Sequence, residues 1–324
     1  MATQTHALLH HQNIGDSFQG VYYVEQAYVK KTVQQKDYLD IILRDKSGPL
    51  SVKYWGTIPG LEKGNWVFVA AHVEDYLGAP SSIAKNIDIV EEPDDLSPYI
   101  PIYEDIDKYA EGFDKIRDVI KTLEDKTKDY TAGMLIDEVY GNSKFFDKFL
   151  QAPGGIGPHY GRQGGLLANT VRVANACKNM STGYNLKDED KIILLSAALL
   201  ARIGAIDSYV FQDCVPVETK PGILLGLNNL TMTRVSSALK RMIASLKKKG
   251  EAPNQDMVIR LLHAVTAFDG VCVTPATREA MLLNSVYKTD LELVNSIEFI
   301  EQDVNINEQF TAYDPATRRR YYTG

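Results

Sequence analysis

Several ordinary devices are missing from this chain. It has only three cysteines, Cys177, Cys214 and Cys272, far apart and without a C-x-x-C pair. That excludes a disulfide framework or a thiolate zinc site and fits reduced thiols in a cytoplasmic protein. No apolar run reaches membrane-spanning length, and the N-terminus lacks the basic-then-apolar order of a secretory signal. No internal repeat or low-complexity tract is present. The glycines Gly154, Gly155 and Gly157 do not lead into Lys-Ser or Lys-Thr, which excludes a P-loop. Excess positive charge is missing too. The formal net charge is -7, so any nucleic acid must be held by a local basic patch against a repelling whole.

What is present divides in two. The length of 324 residues suffices for two domains, and 44% hydrophobic with 24% charged residues is an ordinary globular balance. After a tail over 1–13, expected to be flexible, residues 14–92 read as strands. Leu39, Ile41 and Leu43 alternate, Lys46-Ser47-Gly48-Pro49 is a turn, and Leu50, Val52 and Tyr54 continue the alternation. Five short strands predict a small Greek-key barrel of the OB type. Residues 93–103 read as a linker, marked by Pro93, Asp94, Asp95, Pro98 and Pro101. From 104 to 305 the period becomes helical, beginning with Ile106, Tyr109, Phe113, Ile116, Ile120 and Leu123. A basic, aromatic segment follows at 306–324. The predicted class is multidomain α+β: a five-stranded barrel, then an all-α domain.

Two segments carry a family resemblance. One is Gln163-Gly164-Gly165-Leu166-Leu167-Ala168-Asn169-Thr170; the other is Ala197-Ala198-Leu199-Leu200-Ala201-Arg202-Ile203-Gly204-Ala205-Ile206. They resemble the GGLLEHT and ALLHDIGKI segments of the YhaM family of 3′-5′ exoribonucleases, which join an OB-fold to an HD-type phosphohydrolase domain. Supporting pieces are Tyr38 through Gly48, Lys53-Tyr54-Trp55, Tyr76-Leu77-Gly78, Gly222 through Gly226 and Pro275 through Leu283. The resemblance implies an OB-fold followed by an HD-like helical domain, and an oligomer.

The departures fall on the family's metal ligands. Asn169 and the Ala201-Arg202 pair stand where the family has histidine and His-Asp, and Leu227 replaces another histidine. Phe268-Asp269-Gly270 replaces H-H-G and Tyr287-Lys288-Thr289-Asp290-Leu291 stands where the family has D-N-L-D-A; His263 and Asp269 could be survivors, and two scattered survivors do not make a site. Alanine cannot coordinate, and an arginine puts a fixed positive charge where a cation would bind. The expectation is a scaffold without metal, cofactor or catalysis. Asn169 is expected to satisfy a polar hole. Arg202 is expected to pair with Asp207 or Asp269, with phosphate binding as the other reading.

Binding is expected on the barrel. With the leucines and isoleucine inward, Tyr38, Ile42, Arg44, Lys53 and Trp55 share the outward face. Aromatics with cations suit base stacking and phosphate neutralisation, and Lys30, Lys31 and Lys36 could add contacts. Packing of Tyr38 and Trp55 under another domain or subunit is the alternative. Arg318, Arg319 and Arg320 beside Tyr321 and Tyr322 read equally as a strand contact or a subunit contact. His159 reads as a loop residue, and His6, His10 and His11 make no metal site. Lys247-Lys248-Lys249 reads as a solvated helix end.

Three functions remain open. The first is a non-catalytic binder of single-stranded DNA or RNA, and phage or mobile-element replication in a host cytoplasm is one setting for it. The second is an exonuclease rearranged around His263, Asp269 and Asp290. The third is an interaction or inhibitor module that engages a replication or nuclease protein. A homo-oligomer is expected and a membrane is not.

Overall fold

The computed structural model describes residues 7–9, 12–76, 79–103, 105–156, 160–302, 309–315 and 317–323. His6, His10, His11, His159 and the pair Leu77-Gly78 lie outside the described residues. Two compact units result. The barrel unit comprises Met1–Ile102, Phe211–Val215 and Ile300–Gly324; the helical unit comprises Tyr103–Val210 and Pro216–Phe299.

In the barrel unit, β1 (Ser17–Lys31), β2 (Asp37–Asp45), β3 (Gly48–Tyr54), β4 (Trp66–Tyr76) and β5 (Ala79–Val90) form a closed barrel in the order β1-β2-β3-β5-β4. This is an OB-like arrangement. Closure comes from antiparallel pairing of β1 with β4, from Ser17↔His72 to Tyr23↔Trp66. The alternation in β2 works as predicted: Leu39, Ile41 and Leu43 are buried, and Val52 of β3 joins them. The turn between β2 and β3 is tightened by Asp45, which accepts the Ser47 N–H at 2.8 Å. A bulge between Val24 and Gln26 turns β1 as it passes from β4 to β2.

Two stretches outside the five strands pack within the barrel unit. Leu9 belongs to the presumed flexible tail, yet it is buried in the barrel core and its N–H donates to Asp45 at 2.9 Å. Tyr99 belongs to the presumed linker, yet it packs on Trp66 with ring centroids 4.7 Å apart. Tyr23 and Cys214 complete that cluster. In both stretches a large side chain removes apolar surface from water, which favours docking of the segment.

The helical unit holds α1 (Ile106–Thr127), α2 (Thr131–Tyr140), α3 (Ser143–Gln151), α4 (Gly165–Gly183) and α5 (Asp188–Leu200). The short α6 (Ala205–Ser208) follows, then β6 (Tyr209–Gln212) and β7 (Val215–Glu218). The chain continues through α7 (Lys220–Leu225), α8 (Leu227–Lys248), α9 (Gln255–Thr266) and α10 (Arg278–Gln302). The expectation of an all-α second half needs correction, because β6 and β7 form a two-stranded sheet. Tyr209-Val210-Phe211-Gln212 is too short for periodicity to identify, and the turn depends on Asp213 at φ 55°, a conformation aspartate tolerates.

Helix α5 is buried almost all round, from Ile192 to Leu200, and forms the centre of the helical core with α1, α4 and α9. Such a helix shows no amphipathic stripe because no face is solvated. The paired glycines before α4 have separate duties. Gly164 adopts φ 80°, and a Cβ on Gly165 would sit 2.1 Å from the Tyr160 carbonyl oxygen. Asn142 and Asn254 cap α3 and α9 by accepting the N–H of Phe145 and of Asp256 and Met257.

Candidate nucleic-acid interface

The outward face of β1, β2 and β3 follows from register. Lys30 lies opposite Tyr38, and Tyr28 opposite Asp40. Asp40 then lies opposite Lys53. Tyr38 meets Trp55 just beyond β3, with ring centroids 5.4 Å apart and planes tilted by 47°. Trp55 is 58% exposed and Tyr76 is 61% exposed. The Lys53 ammonium stands 5.1 Å from the centroid of the Tyr76 ring and donates to Ser81 Oγ at 3.2 Å. The Lys30 ammonium stands 6.0 Å from the Tyr28 ring centroid. Aromatic rings thus alternate with ammonium groups from β1 to β4, with Tyr28, Trp55 and Tyr76 exposed and Tyr38 half-buried.

The charges are less free than the sequence expects. Arg44 is largely buried and ion-paired with Glu25 at 2.6 Å, so a phosphate there would have to compete with that carboxylate. Lys30 is paired with Asp40, which also accepts from Ser51 Oγ at 2.7 Å. Burial pushes the Asp40 carboxyl upward, but the bonds from Lys30 and Ser51 outweigh it and hold the group below the usual carboxylate range. The bond to Asp40 correspondingly raises the Lys30 ammonium. Three cations against two carboxylates leave this face one net positive charge. Lys31 and Lys36 are exposed on either side of the β1–β2 turn.

Tyr28, Tyr76, Asp40 and Glu25 escaped the sequence reading. Parity could have found Asp40, which lies two residues from both Tyr38 and Ile42 and so shares their face. Glu25 was hidden by the bulge, which shifts parity at that point. In the C-terminal segment, Arg318 sits in a left-handed turn at φ 57°, and Arg318, Arg319 and Arg320 are exposed. Phe310 and Tyr322 stack edge to face at 5.6 Å. Among the described residues no hydrogen bond or ring contact joins the three arginines to Tyr38, Lys53 or Trp55.

Within the helical unit, Asn169 and Arg202 do meet. Arg202 Nη1 donates to Asn169 Oδ1 at 3.2 Å and Nη2 donates to the Gly154 carbonyl at 2.6 Å. Asn169 Nδ2 in turn donates to Asp290 Oδ2 at 3.0 Å, and the Tyr160 hydroxyl donates to the same oxygen at 2.7 Å. Burial raises the Asp290 carboxyl, opposed by Tyr160, Arg172, Asn169 and Arg202. Burial and the Asp290 charge push the Tyr160 hydroxyl far up. The Arg202 side chain also faces the Tyr287 ring at 5.5 Å, and the Tyr209 hydroxyl lies within its hydrogen-bonding reach.

The expected pairing of Arg202 with Asp207 or Asp269 is therefore corrected. Asp207 is taken by both Nε and Nη2 of Arg234, and Asp269 accepts from Asn228 at 2.9 Å. At 7% exposure Arg202 is also too enclosed to meet an external phosphate without rearrangement. His263 accepts the Ala276 N–H at 2.9 Å, Ala201 is buried in the core, and Leu227 opens α8. Among the described residues no group of three or more His, Cys, Asp or Glu side chains is placed to hold a metal ion.

No family model matches the chain. Among solved structures, it is similar to the second OB-fold domain of replication protein A from Methanococcus maripaludis, at 16% identity and a TM-score of 0.23. The match covers 28% of this chain and 100% of that one. The OB-like description rests on strand order and closure. No described helix is long and apolar enough to cross a membrane.

Proposed function

We propose that this protein binds single-stranded DNA or RNA without cleaving it, through the outward face of β1, β2 and β3. The observation that carries the reading is the exposed Trp55, packed on the half-buried Tyr38, beside Lys53 and the exposed Tyr76. Bases stack on such rings at ~1–3 kcal/mol each, and the ammonium groups contact the backbone. The helical unit is read as a degenerate HD-like domain. Support comes from the Gly164-Gly165 geometry ahead of α4 and from the meeting of Asn169 with Arg202. Arg202 supplies a tethered cation there, which opposes binding of a metal ion at the same place. Service in replication, and assembly as a homo-oligomer, belong to the same proposal.

A second reading, a protein-interaction module, is favoured by the Lys30–Asp40 and Arg44–Glu25 pairs, which spend most of the positive charge inside the face. One titration separates the readings. Labelled oligo-dT and oligo-U are followed by anisotropy and fragment length, at low salt, with and without manganese. Trp66 is buried, so quenching of tryptophan emission reports Trp55. The expected result is saturable binding of intact strand, with Trp55→Ala weakening it roughly tenfold or more and Trp55→Phe restoring part of the loss. Absence of binding to either strand would refute the proposal and leave the protein partner. Manganese-dependent shortening from the 3′ end would replace it with the nuclease.

A further inference from the structure

The helical unit contains an open cleft of about 780 Å³ between the α2–α3 corner and α8. It is lined by four cations, Lys144 and Lys148 from α3 and Arg234 and Arg241 from α8. The only lining carboxylates are Asp137 and Glu138. Asp137 is engaged by Arg117 at 2.5 Å, and Glu138 by Arg241 at 3.1 Å. Arg234 is held by Asp207 through both its nitrogens and lies 4.8 Å from the Phe145 ring centroid. Lys144 and Lys148 are exposed, one helical turn apart, and neither has an ion-pair partner among the described residues. In a chain of net charge -7, this concentration of positive charge goes against the average.

We propose that this cleft is a binding site for phosphate-bearing ligands, separate from the barrel face and independent of the barrel reading. The two unpaired lysines at i and i+4 have Cβ atoms ~5–6 Å apart, so their ammonium groups reach neighbouring positions. They suit a ligand carrying more than one negative charge, as in successive phosphates. The arginines form a fixed rim, because Glu138 and Asp207 already hold their side chains. The volume is that of a site for a nucleotide-sized ligand or a short stretch of strand backbone. Free polyphosphate and nucleic-acid backbone share this chemistry.

The test uses the full chain with two probes, tripolyphosphate and oligo-dT, and two variants, the double Lys144→Gln/Lys148→Gln and the barrel variant Trp55→Ala. Both lysines are exposed, so the double variant keeps the fold. Tripolyphosphate should protect Lys144 and Lys148 of the wild type and of Trp55→Ala from amine labelling, and the double variant should bind it roughly tenfold more weakly. That outcome assigns a free-phosphate ligand even if the barrel binds no strand. If the source is strand backbone, oligo-dT should give the protection. The double variant should then lower the slope of log affinity against log salt by about 1.4, at ~0.7 per lost phosphate contact. Labelling of both lysines unaffected by either probe, with affinities unchanged in the double variant, would overturn the site.

Discussion

Replacing Arg202 with methionine removes a charge and two hydrogen bonds while keeping most of the volume, so it isolates the polar part of the helical core. The wild-type guanidinium holds the Gly154 carbonyl at 2.6 Å and Asn169 Oδ1 at 3.2 Å, both in buried residues. Stranding a buried acceptor costs ~1–3 kcal/mol, and a bond to a charged donor contributes ~1.5–3 kcal/mol. Against this stands the cost of desolvating a buried cation. The net expectation is a loss of about 3 kcal/mol, the lower end of the range for breaking a buried charged contact. Both tryptophans lie in the barrel unit, so far-UV circular dichroism is the appropriate probe of the helical unit. A fall in Tm of about 6–12 °C corresponds to that loss for a domain of this size. The charge has its own signature. Arg202 helps hold down the Asp290 carboxyl, whose value burial already raises. Without Arg202 the folded value rises further. A group with a raised folded pKa loses its stabilising contribution as pH rises, so Arg202→Met should be more damaging at high pH than at low pH, compared at about pH 8 and about pH 5. A variant as stable as wild type at both values would show that desolvation cancels the bonds, and that Arg202 is not what holds Gly154 and Asn169 in place.

Three further substitutions follow from the helical unit. Glu124 is buried on α1 and accepts the Gly133 N–H at 2.7 Å, and burial pushes its carboxyl up to about 7. Its folded value lies above its unfolded one, so its contribution is complete below about pH 4.5 and is lost as pH rises through about 7. Glu124→Gln keeps the acceptor and removes the charge; urea unfolding should show it about 2 kcal/mol more stable than wild type at pH 8 and level with it near pH 4. Equal gains at both pH values would refute the burial argument. Gly165→Ala should cost about 3 kcal/mol or more, because its Cβ would lie 2.1 Å from the Tyr160 carbonyl oxygen. Gly183→Ala, in open space at the end of α4, should be neutral or stabilising by ~0.5–1 kcal/mol in the same thermal melts.

The sequence by itself determined the barrel and the change to helices. Leu39, Ile41 and Leu43 alternate because strand geometry sends neighbours to opposite faces, and a buried face tolerates no slip. The same parity placed Tyr38, Lys53 and Trp55 together outside. Helical periodicity likewise fixed α1, whose Phe113, Ile116, Ile120 and Leu123 are its buried side. Local pattern could not determine which charges remain available. Glu25 reaches Arg44 only because a bulge changes the parity of β1, and Asp40 reaches Lys30 across the strand pair. The partner of Arg202 was equally out of reach, since Gly154, Asn169 and Asp290 come from a loop and two helices far apart in the chain. The cleft of Lys144 and Lys148 exists because α8 packs beside the α2–α3 corner. Periodicity reports which face of an element is buried; which buried or exposed groups then meet is a matter of packing between elements, and only the tertiary structure decides it.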